Sequence, residues 1–116
     1  MSYQANCHCG AVSVDVDGDL PDKAVVCNCS HCSVKALVLA AVPGASVTVR
    51  TGEDSLQTYR FNTCKIDHRF CSTCGTQPLS QGKGRDGSPM AMINLRCVGE
   101  VDLDAIEKIE FDGASL

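Results

Sequence analysis

The alternation of apolar and polar residues predicts short strands joined by turns. Val12, Val14 and Val16 alternate with Ser13, Asp15 and Asp17, the period of a strand with one buried face. Val47-Thr48-Val49 is a β-branched run that suits a strand. Leu56 to Phe61 alternates in part, with Tyr59 and Phe61 suggesting one packed face. In Lys65 to Cys71, residues Ile66, His68 and Phe70 share one face and Lys65, Asp67 and Arg69 the other. Ala91, Ile93, Leu95 and Cys97 alternate with Met92, Asn94 and Arg96, and Ile109-Glu110-Phe111 reads as a last short strand. Ala36 to Val42 is a continuous apolar run ended by Pro43-Gly44, and its length favours a buried strand. Gly18 to Asp22 and Thr51 to Asp54 read as turns. Gln81 to Pro89, with Gly82, Gly84 and Gly87, reads as a flexible loop of the kind that covers a site. Val101 to Ile106 predicts one helical turn capped by Asp102. The pattern points to a mainly β chain with little helix, organised as one domain over residues 1–116 without repeats or linkers.

Composition narrows the partners. A chain of 116 residues buries a modest core, and with 4% aromatics and no Trp a metal would help hold it. The net charge of −4 argues against nucleic acid, whose non-specific binding rests on neutralising phosphates. The scarcity of aromatic stacking residues argues against a nucleic-acid zinc ribbon. Met1 to Cys7 has neither a basic region nor an apolar run, so no signal peptide is expected. The longest apolar run falls far short of the roughly 18 residues of a membrane span. A soluble, cytoplasmic protein is expected. In that compartment nine cysteines, an odd number, read as metal ligands before disulfides.

The densest cluster is Cys27-Asn28-Cys29-Ser30-His31-Cys32. Three thiols this close are badly placed for disulfides with one another but suit a metal on which several sulfurs converge. They are one ligand short of a closed tetrahedral site. His31, His68, Cys64 and Cys97 are the candidates to close it, which would make the site purely structural. Cys7-His8-Cys9-Gly10 offers two more thiols, although a C-x-C pair is equally two buried cysteines of a strand. Cys71-Ser72-Thr73-Cys74-Gly75 has the form of a zinc knuckle. The competing redox reading expects the motif to open a helix, and Pro78 opposes one. Counting sorts these residues. Cys7, Cys9, Cys71 and Cys74 supply four thiolates for one closed zinc site, a set that would also suit iron. Cys27, Cys29 and Cys32 remain as a three-thiolate site, the more labile of the two. Zinc with four thiolates is doubly negative and a poor Lewis acid, whereas with three it keeps a position at which a thiol can bind and lose its proton.

These three cysteine motifs, in this order and spacing, resemble the glutathione-dependent formaldehyde-activating enzyme family, which includes the centromere protein V domain. The resemblance extends to Phe61-Asn62-Thr63, His68-Arg69-Phe70, Ile93-Asn94-Leu95-Arg96-Cys97, Val101-Asp102-Leu103 and Phe111-Asp112-Gly113, nearly the whole chain. It implies a β-tent fold of antiparallel sheets built around zinc, with structural zinc on Cys7, Cys9, Cys71 and Cys74 and catalytic zinc on Cys27, Cys29 and Cys32. It further implies a carbon–sulfur lyase activity used in formaldehyde detoxification, the condensation of glutathione with formaldehyde to S-(hydroxymethyl)glutathione. Cys64 departs from the family pattern, and a core position is expected for it. A tripeptide thiol carries two carboxylates, and Arg grips a carboxylate well. Arg96, with Asn94 on the same polar strand face, is therefore the candidate for substrate binding, its alternative being a surface ion pair. Beyond His31 and His68 the chain shows no obvious general base, so a glutathione or zinc carrier without turnover is the second function expected.

Overall fold

The structure is a computed structural model and describes residues 1–61, 65–84 and 86–115. Cys64, Asn62 and Thr63 lie outside these residues. Ten strands are present among them: β1 (Ser2–Asn6), β2 (Ser13–Asp17), β3 (Lys23–Cys27), β4 (Leu39–Pro43), β5 (Val47–Thr51), β6 (Leu56–Tyr59), β7 (Asp67–Cys71), β8 (Leu79–Lys83), β9 (Pro89–Asn94) and β10 (Glu107–Phe111). One helix, α1 (Ser30–Lys35), lies between β3 and β4. The strands form a three-stranded sheet in the order β1-β2-β5 and a seven-stranded sheet in the order β10-β3-β4-β9-β8-β7-β6.

The core lies between the sheets. Alternation buries Tyr3 and Ala5 of β1 and Val14 and Val16 of β2 against Ala24, Ala40, Leu79, Ala91 and Ile93 of the larger sheet. Each fully buried Val or Ile contributes about 1.5–3 kcal/mol through removal from water. The strands expected around Val14, Val49, Thr58, Arg69, Ala91 and Ile109 are all present, and the fold is mainly β. The strand holding Ala91 and Ile93 ends at Asn94, because the Asn94 side chain accepts from the Arg96 amide and turns Leu95–Cys97 into a 3-10 turn. The Val101–Ile106 turn forms as expected, with Asp102 Oδ1 accepting from the Asp104 and Ala105 amides.

Four expectations need correction. First, Gln81 to Pro89 is not a loop throughout. Gln81, Gly82 and Lys83 pair with Ala91, Met90 and Pro89, and beyond them the Gly84 amide donates to Ser88 O at 2.8 Å. Gly82 sits where another chain segment approaches, since a Cβ there would lie 3.5 Å from Ile66 Cγ1. Second, the sheets are not wholly antiparallel, because β10 pairs parallel to β3 with Phe111 opposite Cys27. Third, the apolar run from Ala36 divides. Ala36 ends α1 in the left-handed region at φ 54, and the strand begins only at Leu39. Fourth, Ile66 lies outside β7 and is half exposed, so it does not share a buried face with His68.

Candidate metal centres

Cys7 follows β1 and Cys9 lies in the turn towards β2, while Cys71 ends β7 and Cys74 lies in the turn before β8. Both segments are closed across five residues, by the Cys7 amide on Val12 O at 3.1 Å and the Cys71 amide on Thr76 O at 2.8 Å. The Gly10 amide donates to Cys7 O at 3.3 Å and the Gly75 amide to Cys71 O at 2.8 Å. Both glycines take positive φ, 82° and 81°, a conformation that costs glycine nothing and other residues strain. The four sulfurs lie within 4.8 Å of one another, with Cys7–Cys9 at 3.6 Å and Cys9–Cys71 at 3.7 Å. Tetrahedral zinc with bonds of about 2.3 Å would space its sulfurs by about 3.8 Å, so the donor set fits. Local polar groups favour thiolate at Cys71 and Cys74. The Val12 amide donates to Cys7 Sγ at 3.2 Å. The Thr76 hydroxyl, 3.4 Å from Cys74 Sγ, and the Thr76 amide bring that thiol down to about 5. A metal on these four residues would rivet the small sheet to the large one.

The triplet is built differently. Cys27 ends β3, Cys29 is the N-cap of α1, and Cys32 sits in its first turn. Cys29 Sγ accepts from the Cys32 amide at 3.3 Å, the bond an N-cap side chain normally makes. The C-x-x-C spacing thus places the second thiol beside the first through a helix start. The helix ends in a Schellman arrangement, with the Leu37 amide on Cys32 O and the Ala36 amide on Ser33 O. Burial pushes the Cys29 thiol up, but hydrogen bonds from the Cys32 amide and thiol and from Cys27 carry it below its ordinary value. Burial and these neighbours push Cys32 up to about 12. Three sulfurs converging at one point suit a cation that replaces their protons.

Among the described residues no further ligand joins either set. Cys97 stays apart, half-buried with its sulfur 4.0 Å from Gln77 O, and burial raises it to about 11. His31 turns inward, 7% exposed, and stacks on His68, Phe61 and Tyr59 at 3.9, 5.2 and 6.0 Å between ring centroids. Neither His31 ring nitrogen reaches a hydrogen-bond partner in good geometry. Burial, followed by the Lys35 charge, holds His31 below its usual range, and nearby Gln77 acts the other way. His68 is a satisfied interior histidine. Its Nδ1 lies 3.1 Å from Ser80 Oγ, which accepts from Gln77 Nε2, while Gln77 Oε1 accepts from Lys35.

A cavity of about 840 Å³ adjoins the triplet, with Cys27, Asn28 and Cys32 on one wall and Arg96, Lys108 and Glu110 on others. Arg96 Nε donates to Ala36 O at 2.6 Å, and Lys108 Nζ donates to Leu103 O. Neither cation has a carboxylate partner among the described residues. Asn94 is buried away from this cavity, donating to Gln77 O at 2.9 Å and accepting from the Arg96 amide. It therefore positions Arg96 rather than lining the site beside it. The sequence reading missed Lys108, whose place depends on the pairing of β10 with β3 and leaves no local signal. No helix among the described residues is long and apolar enough to cross a membrane.

Comparison with known proteins agrees with this arrangement. The chain is similar over 91% of its length to a solved Rhodobacter sphaeroides protein, covering 99% of that chain at 26% identity with a TM-score of 0.77. The family model for the glutathione-dependent formaldehyde-activating enzyme matches residues 2–110. With both cysteine sets in place, the chain belongs to the glutathione-dependent formaldehyde-activating enzyme family.

Proposed function

We propose that this protein joins the sulfur of glutathione to formaldehyde at the Cys27/Cys29/Cys32 centre, giving S-(hydroxymethyl)glutathione. One observation carries the reading: three converging thiols, two of them on the cavity wall, face two cations that have no carboxylate partner among the described residues. Zinc held by the three cysteines would act as a Lewis acid that lowers the pKa of an incoming thiol. The protein's own residues do the rest. Arg96 and Lys108 hold the two carboxylates of the tripeptide. The bond from Arg96 Nε to Ala36 O leaves the terminal guanidinium N–H groups for that contact. The sulfur then forms a bond to the formaldehyde carbon as the carbonyl π bond breaks, and the thiol proton ends on the resulting oxygen. The four-cysteine centre takes no part and holds the sheets together.

A carrier of glutathione or zinc without turnover is the second reading. It is favoured by the absence of an imidazole from the cavity wall, since His31 and His68 both lie in the interior stack. One experiment separates the two. The rate of S-(hydroxymethyl)glutathione formation is measured with and without protein, subtracting the uncatalysed reaction. The cobalt-substituted protein is titrated with glutathione in parallel. A rate above background with a spectral shift at one cobalt supports the enzyme. A shift without rate supports the carrier, and no shift overturns both.

A further inference from the structure

The turn that follows β10 lies directly on the three-cysteine centre. A Cβ on Gly113 would fall 2.5 Å from Cys27 Sγ and 3.3 Å from Cys29 Cβ. The first is closer than real Cβ contacts come, so only glycine permits this backbone to rest there. The turn is held by Asn28, the residue between two of the cysteines. Asn28 Nδ2 donates to Asp112 Oδ1 at 3.0 Å, and Asn28 Oδ1 accepts from the Ala114 amide at 2.9 Å. The Asn28 amide donates to Phe111 O at 3.1 Å, and Ser115 Oγ donates to Asp112 Oδ2 at 2.7 Å. The amide group of Asn28 is thus used at both ends to hold one short turn against its own flanking ligands.

This turn closes one side of the centre. The cavity approaches from another side, with Cys27 and Cys32 on its wall, and Asn28, Phe111 and Asp112 also line it. A ligand that reaches the sulfurs from the cavity therefore lies beside the latched turn. We propose that residues 112–115, latched by Asn28 and seated through Gly113, form a steric filter that admits thiols whose sulfur is on an unbranched carbon and rejects those on a branched one. The proposal rests on the reading of the triplet as a thiol-accepting centre. It assigns specificity to a backbone wall, separate from the charge recognition given to Arg96 and Lys108. The latch bonds are between exposed side chains, which water readily replaces, so a single substitution releases them.

The test uses the full chain loaded with cobalt, whose thiolate bands report each sulfur gained. Wild type, Asn28→Ala, Asp112→Ala and Gly113→Ala are titrated with glutathione, a primary thiol, and with penicillamine, whose sulfur sits on a fully substituted carbon. The readout is the ratio of the two apparent affinities, which a general loss of stability does not move. Cobalt content per chain identifies any variant that fails to load. The wild type is expected to favour glutathione, and releasing the latch to cut that ratio by about tenfold, the scale of one well-placed steric conflict. Asp112 lies outside the ligand run, so Asp112→Ala decides the matter if Asn28→Ala or Gly113→Ala does not load. An unchanged ratio in the loaded variants overturns the filter while leaving the thiol-accepting centre intact. A wild type whose bands ignore glutathione overturns the centre's reading, and the filter with it.

Discussion

His31 and His68 meet at a tilt of 35° with their ring centroids 3.9 Å apart, although one belongs to α1 and the other to β7. Two imidazoles in such contact are compatible only when at most one is charged. Burial, then the charges on His31 and Lys35, lowers His68 to about 4. Unfolding returns it to the ordinary value near 6.5, so between these values the unfolded chain binds the proton and the folded chain does not. The contribution to stability is therefore full above about pH 6.5 and is lost as pH falls towards about 4. Denaturant midpoints from pH 7.5 to 4.5 should fall less steeply for His68→Gln than for wild type. Acid loss of metal is common to both proteins, so the difference in slope isolates the histidine.

The four-cysteine centre should govern folding. Cys9 and Cys71 are 62 residues apart in sequence, and their metal would join two sheets, one of them only three strands wide. Cys71→Ser should lower the melting temperature by more than about 10 °C, because structural zinc contributes directly to folding. Cys29→Ser should cost only a few degrees. Thermal melts with metal content per chain check this, and equal losses would refute the division of labour.

Ala36 is the one non-glycine residue with positive φ among the described residues. It occupies the Schellman position that glycine usually fills. Ala36→Gly should stabilise the protein by about 1 kcal/mol by relieving left-handed strain. Equilibrium urea unfolding measures this directly. Because Ala36 O also receives Arg96 Nε, the variant should leave glutathione affinity close to wild type.

Arg96→Ala should weaken glutathione binding by about tenfold to a hundredfold, the range for a charge-assisted contact worth about 1.5–3 kcal/mol. Arg96→Lys should recover only part of this, since an ammonium cannot both bond Ala36 O and present a fork to a carboxylate. Calorimetric titration with glutathione and with its S-methyl derivative separates the charge contacts from the sulfur contact. Unchanged affinity in Arg96→Ala would return Arg96 to the role of a surface residue.

The two cysteine sets were legible because cysteine spacing is read independently of secondary structure, and the glycines after Cys9 and Cys74 mark the turns that gather the sulfurs. The valines at 12, 14 and 16 announced β2 because each is fully buried while Ser13 and Asp15 between them are not. Helix α1 was hidden, since its cap is a cysteine rather than the usual serine or aspartate and its six residues are too few for a periodic pattern. Strand β8 was hidden by Gly82, a breaker by composition that here pairs with Met90 in the ladder. The cavity wall from Lys108 to Asp112 was beyond reach, because parallel pairing of distant strands has no local signature. Asn94 was misplaced for a related reason: alternation put it on the polar face, but its amide satisfies interior backbone groups.

The parallel pairing of β10 with β3 also imposes a chronology on synthesis. A parallel pair cannot close through a tight hairpin and waits for all the intervening chain. Cys27, Cys29 and Cys32 leave the ribosome together, and the other four ligands are complete at Cys74. Asp112, 84 residues after Asn28, comes later than all of them. A nascent chain therefore presents its triplet bare, with no turn across it, while a finished chain offers it to metal only from the cavity side. Metal supplied during translation should fill the centre faster than metal offered afterwards, so the history of a preparation will show in its occupancy.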